Sequence, residues 1–109
     1  MKIIIQNTKM NLSAEQKMYI EKKFDLFGKL IKRYERAGEI NLYIEVAEST
    51  KHHKQGNIFY SEATLHLPHK TLRAEHYDKN IVASVDSLKD KLRTEIVKYR
   101  GKKISERKK

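Results

Sequence analysis

The residues of this chain best suited to chemistry are its cations. Lys89, Arg93 and Arg100 recur at spacings of four and seven, so a helix sets them along one line. Lys91 and Lys98, seven apart, form a second line, and Lys102 completes the set. Rigid rows of this kind suit the phosphate ridges of folded RNA, which are held through shape and backbone rather than base sequence. Arg grips a phosphate with two donors, whereas Lys acts as a point charge. Asp90 and Glu95 sit three or four residues from basic neighbours, but exposed pairs are weak and a phosphate competes with them. Lys22, Lys23 and Lys29 form a second candidate RNA-contacting set.

Other chemistries fit poorly. With no Cys there is no disulfide, no thiolate nucleophile and no Cys-ligated metal. His52 and His53 are adjacent, while His66, His69 and His76 surround a hairpin, and none has the i, i+4 spacing of a zinc helix. His66 is expected on the wet face of a sheet and His76, buried and hydrogen-bonded, on the other. The chain lacks a phosphate-binding Gly loop, a nucleophile elbow and a zincin motif. We expect no enzyme, no metal or cofactor and no small-molecule substrate. Tyr43 and Tyr60, with Glu45 or Glu62, decorate the open sheet face without implying catalysis.

The 109 residues make one domain, with 24 Lys and Arg against 14 Asp and Glu and a formal charge of +10. Residues 79–109 hold eleven basic and four acidic side chains, and so seven of the ten net positive charges. A polyanion partner is the first implication. No apolar run reaches a membrane span or a signal core, so the expected location is the cytoplasm and no membrane partner is expected.

These cations need elements to position them. Residues 2–6 read as a strand. Ser13 and Gln16 make a capping box for a helix carrying Ile20, Phe24, Phe27, Ile31 and Tyr34 on one stripe, ended by Gly38 in a left-handed turn. Residues 40–48 and 57–67 alternate as strands; 49–56 is a polar loop holding Lys51, His52, His53 and Lys54. Residues 72–76 form the partner of a hairpin. A two-residue loop at Pro68-His69 sets Glu62 opposite Glu75, so like-charge repulsion favours a four-residue loop instead. Asp78 or Asn80 caps a last helix whose stripe is Ile81, Val85, Leu88, Leu92 and Ile96, with Tyr99 near it. Gly101 ends the ordered part, leaving residues 1–101 as one α+β domain and 102–109 as a basic, flexible tail. The predicted architecture is a β-α-β-β-β-α two-layer sandwich, with two helices packed on one face of a four-stranded sheet.

The runs Gly56-Asn57-Ile58-Phe59-Tyr60-Ser61-Glu62-Ala63-Thr64-Leu65-His66-Leu67-Pro68 and Leu72-Arg73-Ala74-Glu75 resemble the ribosome hibernation-promoting factor family, also called ribosome-associated inhibitor or ribosomal subunit interface proteins. So do Val82-Ala83-Ser84-Val85-Asp86-Ser87-Leu88-Lys89-Asp90-Lys91-Leu92, the basic run 98–103, and Lys23-Phe24. Where members often have Asp then Tyr or Leu at the last helix, this chain has Asn80-Ile81. The resemblance implies binding to the small ribosomal subunit and its rRNA in the channel for messenger and transfer RNA, so that translation stops. Its length resembles the short form, without the C-terminal dimerisation domain of long members. The charge by itself equally fits a generic double-stranded-RNA or nucleic-acid-binding module.

Overall fold

The capping box at Ser13 forms as its spacing requires. Ser13 Oγ accepts from the Gln16 N–H at 3.1 Å, and Gln16 Oε1 accepts from the Ser13 N–H at 2.9 Å. In a computed structural model that describes residues 1–49 and 58–107, with side chains as far as Gly101, the elements follow in the expected order. They are β1 (Lys2–Thr8), α1 (Ala14–Asp25), α2 (Phe27–Ile31), a 3-10 turn (Lys32–Ala37), β2 (Asn41–Glu48), β3 (Phe59–Leu67), β4 (Lys70–Asp78) and α3 (Ile81–Arg107). The loop carrying Lys51, His52, His53 and Lys54 lies outside the described residues. The sheet order is β1-β2-β3-β4, with β1 parallel to β2 and the later pairs antiparallel.

Period-two alternation gives the sheet one dry face. Leu42, Ile44 and Val46 of β2, Ala63, Leu65 and Leu67 of β3 and Leu72 of β4 are buried there. Ile20 and Phe24 of α1, Phe27 and Ile31 of α2, and Val85, Leu88, Leu92 and Ile96 of α3 close over them. This is the two-layer α+β sandwich. Two polar residues sit inside it. Ser61 on β3 and Ser84 on α3 are fully buried, their hydroxyl oxygens 2.7 Å apart, and both also reach the His76 carbonyl. Each satisfies the other, and both are small enough to let α3 lie close on the strand.

The first helix departs from a single rod. It breaks at exposed Leu26 and tightens into the 3-10 turn, although the stripe from Ile20 to Tyr34 keeps its direction. Gly28, the weakest helix former in this stretch, sits just past the break. Gly38 takes a nearly extended conformation (φ 159°, ψ 179°) rather than the left-handed turn expected of it. The last helix does not end at Gly101; its backbone continues to Arg107, because Gly is tolerated within a helix when its neighbours favour one. His76 is half-buried rather than buried, and Asp78 Oδ2 lies 3.3 Å from its Nε2. Asn80 is the residue that caps α3, its Oδ1 accepting from the Val82 and Ala83 N–H groups at 2.8 and 3.2 Å.

The hairpin register corrects the charge argument. The loop is the two-residue one: Leu67 pairs with Lys70, Leu65 with Leu72, and Glu62 with Glu75. The Tyr60 hydroxyl supplies the reason. It lies 2.6 Å from Glu62 Oε2 and 2.9 Å from Glu75 Oε2, so its proton stands between the two carboxylates. Arg73 adds a 2.8 Å ion pair to Glu62 Oε1. The Tyr60 hydrogen bond and the Arg73 charge hold the Glu62 carboxyl below its ordinary pKa, while burial and the two carboxylates push the Tyr60 hydroxyl well above its own.

Two measurements follow. A Cβ at Gly28 meets nothing within 4 Å, so Gly28→Ala should stabilise the fold by about 0.5–1 kcal/mol in urea melts. Tyr60→Phe should cost about 1–2 kcal/mol at pH 7, where the Glu62 carboxylate is charged. Because the folded pKa of Glu62 is depressed, its contribution exists above the unfolded value and is lost as pH falls through the folded one. The Tyr60→Phe deficit should therefore shrink in melts near pH 3; a deficit independent of pH would refute the shared-proton account.

Candidate nucleic-acid interface

The helix layer brings two N-termini side by side. Residues Gln16, Tyr19 and Ile20 of α1 face Ile81, Val82 and Val85 of α3, and further along Tyr34 meets Tyr99 with ring centroids 5.6 Å apart. The first helical segment and α3 therefore run in the same direction with a cleft between them. Across the cleft Asp86 makes one connection to α1 at two points. Its Oδ1 accepts from the Tyr19 hydroxyl at 2.7 Å and lies 3.5 Å from Lys23 Nζ. Lys23 also stands over the Tyr19 ring, 5.3 Å from its centroid. The Asp86 charge raises the Lys23 pKa. Burial, then the bond to Asp86, raises that of Tyr19.

Asp86 marks which flank of α3 borders the cleft. At about 100° per residue, Lys89, Arg93 and Arg100 lie on this same flank, about one, two and four turns beyond Asp86. Arg93 is exposed, Lys89 and Arg100 half-buried, and the Arg100 Nε is buried with no hydrogen-bond partner among the described residues. Asp86 reaches Lys23 of α1, and Lys89, Arg93 and Arg100 share the flank of α3 that carries Asp86.

The others are placed elsewhere. Lys91 lies on the opposite flank of α3, over the sheet edge, where its Nζ donates to the Glu75 carbonyl at 3.0 Å. Lys98 follows on that flank, 4.0 Å from Glu95 Oε1. The two lines of the sequence reading are therefore two sides of one helix, not one surface. Lys22 is exposed on the outer side of α1, beside Met1, Ile3 and Met18 near the β1 edge. Lys29 is exposed on α2. The side chain of Lys102 lies outside those described. Sequence reasoning missed Tyr19 and Asp86. The spacing of Asp86 to Lys89 and Arg93 was visible, but only the packing of α1 on α3 gives that carboxylate its partners.

The opposite layer is different. Across the open sheet face Glu45, Glu62 and Glu75 occupy one row of paired positions, with Gln6 at its end. Tyr60 and Tyr77 pack at 4.9 Å beside this row, and Tyr43 meets His66 edge-on at 5.3 Å. The glutamate row, with Arg73 paired to it, lies on the sheet layer, while Lys23, Lys89, Arg93 and Arg100 lie on the helix layer with Asp86. Among the described histidines, His66 approaches Thr71 and His76 approaches Asp78.

The sequence model of the sigma 54 modulation protein / S30EA ribosomal protein family matches residues 3–104. No curated protein matches the chain. Among solved structures, the N-terminal domain of Protein Y from Thermus thermophilus superposes with a TM-score of 0.69 at 23% identity, over 91% of this chain and 99% of that one. A ribosomal subunit interface protein from Coxiella burnetii gives 0.68 at 25% identity, over 93% and 99%. The first of these speaks to the fold alone.

The Asp86 connection has an alkaline signature. Lys23, with a raised folded pKa, stabilises the fold below its unfolded value and ceases to as pH rises through the folded one; ionisation of Tyr19, also raised, opposes folding in the same range. Stability should fall as pH rises above about 10, and Asp86→Asn should flatten that fall in urea melts compared at pH 9 and pH 11. An unchanged slope would show that the three groups are not coupled.

Proposed function

The chain belongs to the sigma 54 modulation protein / S30EA ribosomal protein family, and on that footing we propose that it is a ribosome-associated hibernation factor. It binds the small ribosomal subunit in the channel used by messenger and transfer RNA. Occupying that channel excludes both RNAs and stops translation reversibly. The work is steric and electrostatic, so the protein needs no catalytic group and no cofactor.

The observation that carries the reading is that Lys89, Arg93 and Arg100 share the flank of α3 on which Asp86 reaches Lys23, on the layer opposite the glutamate row. The buried stripe of α3 fixes that helix to the sheet, so its cations are held at set spacings before RNA arrives. Preorganised cations lose less freedom on binding than mobile ones. Asp86 occupies Lys23 in the free protein, and this exposed pair yields readily to a phosphate. Lys91 and Lys98 form a second contact line on the far flank of α3, with Lys22, Lys29 and Lys102 as further contacts. The Coxiella relative is described as a ribosomal subunit interface protein, in keeping with this reading.

Co-sedimentation with isolated small subunits, large subunits and a bulk duplex RNA tests it. Stoichiometric retention on small subunits alone, reversed by messenger and transfer RNA, is the expected result. Equal retention on every RNA would reduce the protein to a generic duplex-RNA binder. Lys89→Glu with Arg93→Glu should weaken small-subunit binding by tenfold or more and flatten its log–log salt dependence by roughly 0.7–0.9 per phosphate lost. Lys91→Glu with Lys98→Glu should do less, because Lys91 is already engaged with the Glu75 carbonyl. The reverse ranking would move the main contact to the sheet-edge flank.

A further inference from the structure

The cleft does not begin with charge. At its N-terminal end a groove of about 180 Å³ opens between the helices, lined by Gln16, Tyr19, Ile20, Ile81, Val82 and Val85, with Glu15 at its rim. It is almost wholly apolar, and Val82 is 43% exposed within it. A drug-sized ligand needs about 300–1,000 Å³, so this space suits one flat ring system. The neighbouring features define that ring's chemistry. Asp86, one helical turn after Val82 on the same flank, holds Tyr19 and Lys23 through Oδ1 only, and Oδ2 has no partner among the described residues. Lys23 and Lys89 stand next along the cleft.

We propose that this groove receives a single unpaired nucleobase from an RNA strand that lies along the cleft, cytosine or adenine, which carry an amino group at the position where uracil and guanine carry a carbonyl. The base packs on Tyr19, Ile20, Val82 and Val85, and its amino group donates to Asp86 Oδ2. A carboxylate accepts from such a group and finds no donor on the corresponding position of uracil. The phosphate next to that base lies toward Lys23 and Lys89, away from Glu15, where the charges are complementary. A base with an apolar face and an adjoining anion matches an apolar groove continuous with a run of cations. The inference rests on the RNA-binding reading above and adds to it a site for one base, where the cations alone read only backbone.

The test uses the intact chain, labelled with nitrogen-15, and three probes at one salt concentration: a ten-nucleotide oligocytidine, a ten-nucleotide oligouridine and a ten-base-pair RNA duplex. The expected result is amide shifts at Ile20, Val82 and Val85 with oligocytidine, and weaker binding of the other two probes. Val82→Phe fills the groove without altering charge. It should weaken oligocytidine binding by roughly tenfold, the scale of one stacked base, while leaving the salt slope unchanged. Silent groove amides, equal affinity for oligouridine or the duplex, or a folded Val82→Phe protein that binds as the parent does would each overturn the proposal. The shift experiment needs no variant, so it decides even if Val82→Phe does not fold. Parent and variant are also sedimented with small subunits. A parent that binds small subunits while the groove amides stay silent loses only the base site. A parent that fails to bind small subunits loses the hibernation reading, whatever the groove does.

Discussion

A sheet with only one dry face constrains everything else in this molecule. Four strands alternate, and the apolar half of each must be covered from the same side. One helix is too narrow for four strands, so two segments of helix must lie abreast on that side. Their abutment creates a cleft whose walls are helix flanks, and the polar residues on those flanks become neighbours without being close in sequence. Tyr19 and Asp86 are 67 residues apart and share a hydrogen bond for this reason. The open face, freed from covering anything, carries the glutamate row.

Much of the architecture was legible in the sequence because its signals are periodic. Alternation in 40–48 and the four-three stripe beginning at Ile20 each depend on one element at a time. The Ser13–Gln16 capping box is equally local. What failed were inferences that a third residue decides. Glu62 facing Glu75 is unfavourable as a pair, but Tyr60, two positions away on the same strand and face, puts a proton between them. Gly38 adopts an extended backbone where a stop signal suggested a left-handed one. Gly101, read as an end, lies inside a helix.

The candidate site was legible by composition and only half legible by geometry. Helical spacing grouped Lys89 with Arg93 and Arg100, and Lys91 with Lys98, as the structure does. It gave no way to know that the first group shares its flank with Asp86, which meets α1, or that Lys91 reaches β4, because the direction of a flank is set by what packs beside the helix. The same limit hid the difference between Lys22 and Lys23, adjacent residues whose side chains leave α1 toward the β1 edge and toward Asp86.

The separation of charge between the two layers also has a kinetic meaning. A carboxylate row on one layer and a basic helix flank on the other give the molecule a charge asymmetry between its two faces. Near a dense polyanion it feels a torque as well as a pull, and it turns its helices forward before any contact is made. The fraction of collisions that arrive face-first rises, and salt, by shortening the reach of the field to about 8 Å at physiological strength, erodes the orientation as well as the attraction.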